Sequence, residues 1–372
     1  MKIGIDGRSL ETNAAGIGRY VYELCKCLDR LIPEAEFFLY TRGPLDLPLI
    51  SERWKYRHEK NPLFRKVKSI AWLRWFSGKL CSEDAIDVYW GGATFVPLFL
   101  PRNTKTISTV HDLNHLLVPE TMPLATYVAY KLFFSSDIRR ADIVITNSIG
   151  TKTRLKELCG VVADFVVTPG VAPMFRNREV SEISAVRKKY NIGSDPYILA
   201  LSTLEPRKNL KNLLLAFINQ KYIAGFENHK IVLAGGIGWK NQELEALLAR
   251  APNSVLRCGY VEDSDLPALY SGADFFVFPS VYEGFGIPVL EAVACGTPVL
   301  ASNIPEILEA AQGHGIFVGP DVAEIQGGLV QALKDYAVKR QHSFGLVDTD
   351  WNSKGHVYAS AIMSLFSRSR HK

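Results

Sequence analysis

The 372-residue sequence contains no uninterrupted apolar run of the ~18–20 residues that a membrane-spanning helix requires. Its opening residues reach an acidic side chain at Asp6 and contain no apolar signal core followed by a small-residue cleavage site. None of its six cysteines belongs to a C-x-x-C pair, and most stand within apolar runs. These absences favour free thiols in a reducing compartment over a disulfide framework, and they predict a cytoplasmic location.

The composition, 47% hydrophobic and 22% charged, is that of an ordinary globular protein, and the length suits two domains of roughly 150–200 residues each. Short strand candidates alternate with longer helical patterns, which predicts an α/β protein of two Rossmann-like, doubly wound domains facing each other across a cleft. We place the first domain at 1–170, with a C-terminal helix at 351–368 packing back on it, and the second at 171–350. Ligands are expected beyond the carboxyl ends of the strands.

The strand candidates are short β-rich runs, and several of them are apolar on both faces, as parallel strands between two helical layers are. They are Lys2–Asp6, Glu36–Thr41, Asp87–Trp90, Thr106–His111, Asp142–Asn147, Phe165–Pro169, Tyr197–Thr203, Lys230–Gly235, Val255–Val261, Asp274–Pro279, Pro298–Ser302 and Ile316–Val318. The break between the two sets lies between Pro169 and Asp195, where prolines and glycines punctuate the chain.

The net charge of +5 is concentrated in one region, since residues 51–80 hold nine basic and two acidic side chains. Such an excess indicates an anionic partner. Within it, residues 63–80 combine basic side chains with Trp72, Trp75 and Phe76, a mixture typical of a helix lying in an anionic membrane interface. The alternative is a long surface helix that packs these aromatics into the first domain. Nucleic acid is not expected as a partner, because the second half of the chain is neutral.

The most specific motif is EGFGIPVLE, which runs from Glu283 to Glu291 directly after a predicted strand. Gly284 and Gly286 let the backbone approach a ligand closely, and Pro288 suits the first turn of a helix. The amides of that helix start favour a diphosphate, while the two glutamates can accept hydrogen bonds from vicinal hydroxyls of a ribose or a sugar. A glycine-rich helix entry with two solvent-facing glutamates is the plainer alternative.

A pair of cations, Arg207 and Lys208, stands at a second predicted strand-to-helix junction, where Pro206 fixes the backbone. Two cations there can neutralise the negative charge that develops on a leaving diphosphate. Because cations at a helix start oppose the helix macrodipole, their position needs a reason other than helix stability. A basic first turn on a surface helix is the alternative.

Two less specific signals lie in the first half. Gly16, Gly18 and Arg19 open the helix that follows the first strand, which suits an anion, a mobile acceptor loop or a plain helix start. His111 and Asp112 end another predicted strand, where an imidazole could bond to a sugar hydroxyl and an acceptor.

Together with ITNS at 145–148 and the long run at 272–299, these motifs resemble the large retaining glycosyltransferase family 4, which has the GT-B fold. The resemblance covers nearly the whole chain, and the opening MKIGIDGRSLE and the TLEPRKN form are most similar to bacterial mannosyltransferases of surface-polysaccharide assembly. It implies catalytic roles for Glu283, His111, Arg207 and Lys208, and an acceptor-side position for Gly16, Arg19 and Asp112. The donor-binding residues that it implies are Arg207, Lys208, Glu283, Gly284, Phe285, Gly286, Ile287, Glu291, Gly18, Ser202, Tyr260 and Val261.

The roles that the resemblance implies differ among these residues. The two cations hold the donor diphosphate, Glu291 bonds to the ribose, and Glu283 lies by the transferred sugar. The backbone near Gly259–Val261 borders the base, and His111 contacts the sugar from the opposite domain. Many relatives carry an arginine where this chain has Ser202, which shifts more of the diphosphate contact to Arg207. The resemblance also implies retention of configuration by front-face departure, in which the leaving phosphate oxygen accepts the acceptor's proton.

Three short sequence patterns are similar to metal-binding or dinucleotide-binding motifs, but none of them supports such a site. Asp348 and Asp350 form a D-x-D that precedes the terminal helix and follows no strand, so helix capping is the better interpretation. His111 and His115 are four residues apart at a strand end, with no third ligand evident. The glycines at 235–238 lack the last glycine of a dinucleotide fingerprint. No metal or other cofactor is expected.

The resemblance therefore implies transfer of a hexose, with mannose from GDP-mannose as the first choice, to a glycan or polyprenyl-diphosphate-linked acceptor. The process would be lipopolysaccharide O-antigen biosynthesis, by a cytoplasmic enzyme peripheral on the inner membrane face. A UDP-glucose or UDP-N-acetylhexosamine transferase, a non-catalytic nucleotide-sugar-binding scaffold subunit and a GT-B epimerase remain alternatives.

Overall fold

The computed structural model describes residues 1–11, 16–220, 226–236, 238–239, 242–339 and 349–367, which form two compact units. The first unit comprises Met1–Leu116, Leu124–Gly170 and the described residues from Asp350 onward. The second comprises Leu117–Pro123 and Val171–Thr349. The segment Leu117–Pro123 thus groups with the second unit, whereas the sequence pattern assigned it to the domain at 1–170.

The two units are built from short strands and helices, whose bounds are as follows. The strands are β1 (Lys2–Asp6), β2 (Glu36–Thr41), β3 (Trp54–His58), β4 (Val88–Gly91), β5 (Lys105–Val110), β6 (Ile143–Thr146), β7 (Phe165–Val166), β8 (Tyr197–Leu201), β9 (Lys230–Ala234), β10 (Val255–Gly259), β11 (Phe275–Phe278), β12 (Val299–Ser302) and β13 (Ile316–Val318). The α-helices are α1 (Ile17–Leu31), α2 (Pro62–Arg65), α3 (Ser69–Trp75), α4 (Ser77–Asp84), α5 (Asn114–Leu117), α6 (Leu124–Arg140), α7 (Ile149–Cys159), α8 (Val180–Lys189), α9 (Leu210–Gln220), α10 (Gln242–Arg250), α11 (Leu266–Ser271), α12 (Ile287–Ala294), α13 (Pro305–Ala311), α14 (Val322–Lys339) and α15 (Trp351–Ser367). Single 3-10 turns are found at Arg8–Leu10, Pro119–Thr121 and Pro206–Lys208.

Each unit contains one parallel sheet. The first has the order β3-β2-β1-β4-β5-β6-β7, and the second has the order β10-β9-β8-β11-β12-β13. In each sheet the chain first adds strands on one side of its opening strand and then on the other, so the order reverses between β1 and β4 and between β8 and β11. Such reversal points are where doubly wound sheets bind ligands, beyond the carboxyl ends of the strands.

All twelve predicted strands are present: three have the predicted bounds, two are shifted by one residue, and seven are shorter than predicted. The fully buried ones, such as β6 and β11, carry apolar residues on both faces because helices cover both sides of the sheet. β3 was not predicted. It lies at a sheet edge, pairs with β2, and is half-buried over most of its length, so its sequence WKYRH lacks the apolar character of the central strands.

The C-terminal helix α15 packs into the core of the first unit. Cys27 Sγ of α1 lies 3.4 Å from the carbonyl oxygen of Trp351. The buried hydroxyl of Tyr358 is 2.9 Å from Thr109 Oγ1 of β5, and the Tyr358 ring lies 4.6 Å from that of Trp90. Helix α15 therefore covers the centre of the seven-stranded sheet.

The single helix expected over residues 63–80 is wrong, because this stretch forms α2, α3 and the first part of α4. Trp72 is fully buried and its Nε1 donates to Glu59 Oε2 at 3.2 Å. Phe76 stacks on Phe64 with ring centroids 4.3 Å apart. Of the three aromatics predicted to face a membrane, Trp75 is the one that is exposed. Among the described residues, no helix combines the length and the hydropathy that crossing a bilayer demands.

Candidate active site

The reversal point of the second sheet is formed by two adjacent strands, β8 and β11, and by the loops that follow them. The 3-10 turn Pro206–Lys208 comes after β8, and the loop 280–286 comes after β11. The two loops are joined through their backbones, since the amide of Val281 donates to the carbonyl of Arg207 at 2.8 Å. The topology therefore brings together two motifs that are 75 residues apart in the sequence.

A four-residue charge network occupies this point. Lys208 Nζ lies 2.5 Å from Glu283 Oε1, and Arg207 Nη1 lies 2.6 Å from Glu283 Oε2. The other guanidinium nitrogen, Nη2, donates to Glu205 Oε1 at 2.7 Å. The two cations are thus balanced by two carboxylates. Sequence reasoning assigned no role to Glu205, although its place two residues before Arg207 was the available signal.

Burial and charge act in opposite directions on these groups. Burial raises the pKa of Glu283, but the adjacent Arg207 and Lys208 outweigh it and hold that pKa at about 2. Burial and the neighbouring guanidinium lower the pKa of Lys208, and the Glu283 carboxylate partly offsets this effect. Glu283 is therefore an anion throughout the neutral range, and it is a weak proton acceptor.

The glycines of the 283–286 loop shape the start of α12. Gly286 has a φ of 112°, a conformation that side chains with a Cβ rarely adopt, and a Cβ built there would lie 2.7 Å from Ile307 Cδ1. Helix α12 begins at the next residue, Ile287, so its amides follow directly after Gly284 and Phe285, which are buried. This helix start presents the positive end of its dipole beside the charge network.

Glu291 lies further along α12 and is 2% exposed. Its Oε2 accepts a hydrogen bond from the Tyr270 hydroxyl at 3.1 Å. The side chain is therefore packed inside the second unit, and its contact with a ribose stays a prediction.

A cavity of about 450 Å³ opens beside these loops, at the carboxyl ends of β9 and β10. Leu204, Gly235 and the exposed ring of Tyr260 contribute to its lining. Gly235 has a φ of 127°, and a Cβ built there would be 2.0 Å from the carbonyl oxygen of Ser202. The volume lies within the ~300–1,000 Å³ range of small-molecule sites. The side chain of Val261 is 4% exposed and belongs to the hydrophobic core, and the contact of its backbone with the base stays a prediction.

Ser202, one of the predicted donor-binding residues, directly follows β8. Its backbone amide donates to the carbonyl of Ala234 at 3.0 Å. Within the described part of the chain, its buried Oγ has no hydrogen-bond partner.

In the first unit, His111 follows β5 and is 5% exposed. Its Nε2 lies 2.7 Å from the carbonyl oxygen of Gly92, and its ring meets the edge of Tyr20 at 5.0 Å. Burial lowers the pKa of His111 to about 4, so the imidazole is neutral at pH 7. Because a carbonyl can only accept, the proton resides on Nε2, and Nδ1 is left as an acceptor.

The other first-unit residues predicted from the sequence lie near strand ends. Gly16 has a φ of 56° and precedes α1, Gly18 is buried in the first turn of α1, and Arg19 is half-buried beside it. Asp112 accepts hydrogen bonds from the amide and the side chain of Asn114 at 3.1 and 3.0 Å.

Sequence reasoning missed a group of polar atoms at the carboxyl edge of the first sheet. Ser9 Oγ follows β1, Asn114 Oδ1 follows β5, and Asn147 Oδ1 follows β6; as far as the structure describes the chain, these buried atoms have no hydrogen-bond partner. Each such atom costs about 1–3 kcal/mol of folding free energy when it stays unsatisfied. Position within four residues of the end of a strand was the available signal.

The histidines and aspartates considered as metal ligands have other contacts where the structure describes them. Among the residues that the structure describes, no three His, Cys, Asp or Glu side chains are grouped to hold a metal ion. Asp350 Oδ1 accepts the amide of Asn352 at 3.0 Å, which confirms the predicted cap of α15. Asp348, its partner in the D-x-D, lies outside the described residues. His115 packs on Phe134 with ring centroids 4.3 Å apart.

Comparison with known proteins agrees with this architecture. Residues 14–173 match the model of Glycosyltransferase Family 4, and residues 182–345 match that of Glycosyl transferases group 1. The chain is 30% identical over 358 residues to the O-antigen chain mannosyltransferase B of Escherichia coli, covering 90% of this chain and 91% of that protein.

Two solved structures show the same fold. Sucrose-phosphate synthase from Thermosynechococcus elongatus gives a TM-score of 0.76 at 18% identity over 99% of both chains. Anabaena Alr3699/HepE, in complex with UDP-glucose, gives 0.67 at 20% identity over 97% of this chain and 95% of that one. The two α/β units therefore define a GT-B glycosyltransferase. Within that class, the chain belongs to glycosyltransferase family 4.

Proposed function

We propose that this enzyme transfers mannose from GDP-mannose, with retention, to a glycan or polyprenyl-diphosphate-linked acceptor in lipopolysaccharide O-antigen assembly. The E. coli relative named as an O-antigen chain mannosyltransferase supports the sugar and the process. A lipid-linked acceptor of this chain would place the enzyme on the inner membrane face, with residues 63–80 of the first unit toward an anionic surface.

The observation that carries the proposal is the charge network at the reversal point of the second sheet. Arg207 and Lys208 lie beside the glycine-opened start of α12, so two cations and the backbone amides that precede Pro288 would face one diphosphate. Stabilising the charge that develops on this leaving group is the largest electrostatic contribution to glycosyl transfer. The cavity beside Leu204 and Tyr260 is the proposed place of the base.

The proton of the acceptor hydroxyl needs a recipient other than Glu283, because a carboxylate with a pKa of about 2 is a poor general base. We assign this role to the departing phosphate oxygen. The bond from the anomeric carbon to the diphosphate breaks, the bond to the acceptor oxygen forms on the same face, and the proton moves to the phosphate. Glu283 would then bind hydroxyls of the transferred sugar.

The role proposed for His111 follows from its tautomer. With Nε2 donating to the Gly92 carbonyl, Nδ1 can accept a hydrogen bond from a sugar hydroxyl. A neutral imidazole with a pKa of about 4 suits orientation of the sugar better than proton transfer at pH 7.

Thermal shift with a panel of nucleotide sugars tests the donor, since a ligand stabilises the folded state that binds it. We expect GDP-mannose to raise Tm more than UDP-glucose or UDP-N-acetylhexosamine. The rival donor is UDP-glucose, the ligand of the Anabaena structure, and a larger shift with it would replace the GDP-mannose assignment.

Turnover with a polyprenyl-diphosphate-linked glycan then separates the remaining functions. Mannose transfer to the acceptor is the expected result. Donor binding without turnover would identify a scaffold subunit, and release of an isomerised sugar would identify an epimerase.

A further inference from the structure

An exposed apolar stripe runs along α6 in the first unit. Leu124, Val128 and Leu132 are spaced four residues apart, so they share one face of the helix, and they are 75%, 43% and 64% exposed. The opposite face of α6 buries Phe134 and Ile138 in the unit. An amphipathic helix normally turns its apolar face inward, whereas α6 carries large apolar side chains on both faces.

The stripe continues onto two neighbouring segments. Trp75, at the end of α3, is 44% exposed, and its ring meets the edge of Phe133 at 5.4 Å. The loop after β4 adds Leu98 and Phe99, both exposed; the amide of Leu98 donates to the carbonyl of Arg74 at 2.8 Å. We call the six exposed side chains the α6 face: Trp75, Leu98, Phe99, Leu124, Val128 and Leu132.

An ion cluster around the buried Asp137 fixes these three segments to one another. Arg74 of α3 pairs with Asp137 of α6, which also accepts from Arg140 at 3.1 Å. Arg140 in turn donates to the carbonyls of Pro97 and Leu98 at 2.8 and 3.2 Å. The α6 face is therefore formed in the folded protein before any partner is present.

The surroundings of the α6 face are basic. Residues 60–80, residues 92–104 and α6 together contain one acidic side chain, Asp137, which is fully buried. Lys79, Arg102, Lys131 and Arg139 of the same segments are exposed. Exposed leucines and aromatics rimmed by lysine and arginine match an interface of acyl chains beneath anionic headgroups.

We propose that the α6 face seats this enzyme on an anionic lipid bilayer, with its apolar side chains entering the headgroup–acyl boundary. The inference rests on the proposed function, because it supplies the contact that a lipid-linked acceptor requires. It also moves the lipid contact from residues 63–80 as a whole to Trp75 together with α6 and the 98–99 loop, since Trp72 and Phe76 pack inward.

Flotation of the full chain with vesicles of phosphatidylcholine, with and without phosphatidylglycerol, tests this surface. We expect co-flotation with the anionic vesicles, weakened by salt because the basic rim contributes electrostatically. Phe99→Ser with Leu132→Ser removes two exposed apolar side chains and should reduce partitioning at least about tenfold, given the free energy of burying such groups. The matched control is Leu158→Ser with Val162→Ser, two exposed apolar residues elsewhere in the first unit.

Donor-induced thermal shift is measured on every variant, so loss of folding and failure of the donor site are recognised separately from loss of lipid binding. If the wild-type chain does not bind anionic vesicles, the proposal that the α6 face binds lipid is wrong. Self-association through the α6 face without flotation would also contradict it. Equal flotation of the Phe99/Leu132 double variant and the wild type, or equal losses in the variant and its control, also overturns it.

Discussion

The carboxyl edges of the two sheets are built on the same strand plan, yet they differ in the balance between paired charges and uncharged polar atoms. In the second unit, Arg207, Lys208, Glu205 and Glu283 form a closed set of ion pairs. In the first unit, amide and hydroxyl oxygens at Asn114, Asn147 and Ser9 lack hydrogen-bond partners within the described residues. Each edge also has some of the other kind of group: Arg8 pairs with Asp6 at 2.7 Å in the first unit, and Ser202 Oγ is unpartnered in the described part of the second. The comparison is therefore one of balance: the larger set of paired charges favours a charged ligand, and the larger set of unsatisfied polar atoms favours a hydroxyl-bearing one.

The largest expected effect comes from removing one cation of the second unit. Lys208→Ala leaves Glu283 with Arg207 alone and withdraws a charge from the proposed diphosphate site. We expect kcat/KM for mannose transfer to fall about 10²–10³-fold, the range found for removing one charge-stabilising donor. Lys211→Ala, which removes an exposed lysine paired with Glu243, is the control. An unchanged kcat/KM in a folded Lys208→Ala protein would contradict the assignment of Lys208 to a diphosphate site.

The pH dependence of stability probes the same ion pairs. The pKa of Glu283 is held at about 2, below its ordinary 4.5, so its pairing stabilises the fold above the unfolded pKa. That contribution, about 3 kcal/mol from the difference in pKa, is lost as pH falls from about 5 toward 2. Urea unfolding of wild type and Glu283→Gln across this range should give free energies that converge at low pH. Parallel curves would contradict the pairing.

Replacing Gly235 with alanine should lower the free energy of unfolding by about 2 kcal/mol or more, because the backbone conformation there does not suit a Cβ. Gly235→Ala combines a φ of 127° with a Cβ placed 2.0 Å from the Ser202 carbonyl oxygen, so the β8–β9 edge must shift. Gly236→Ala is the matched control, since a Cβ there meets nothing within 4 Å and its φ lies outside the left-handed region. Thermal unfolding compares them, and equal Tm values would show that the edge is not tightly built.

The smallest effect on stability is expected in the first unit. Asn147→Ala removes a buried amide whose Oδ1 is unsatisfied, so the free energy of unfolding should stay constant or rise by about 1 kcal/mol. If that atom is reserved for a hydroxyl-bearing acceptor, the acceptor KM should rise while the donor KM stays the same. A loss of stability together with unchanged kinetics would assign Asn147 a structural role.

Much of the fold was readable because buried parallel strands are apolar on both faces, as β6 and β11 are. The edge strand β3 was not predicted, because its partly exposed residues lack that apolar pattern. The convergence of Lys208 and Glu283 was predictable through the family motif and the rule that ligands bind where strand order reverses.

Other features depend on packing that no local pattern records. The inward position of Val261, the grouping of Leu117–Pro123 with the second unit and the division of residues 63–80 into three helices are of this kind. The pairing of Glu205 with Arg207 needs the turn geometry of Pro206–Lys208, which the sequence letters leave open.

The position of α15 has a consequence for biosynthesis. Tyr358 completes the core around Thr109 and Trp90, although about 250 residues separate it from them in the order of translation. The aromatic centre of the seven-stranded sheet thus stays uncovered on the ribosome until the final helix emerges, while the strands of the six-stranded sheet have all been translated by then. A stop codon shortly before Trp351 would leave that apolar surface open to misassembly, even though every strand of both sheets had been made.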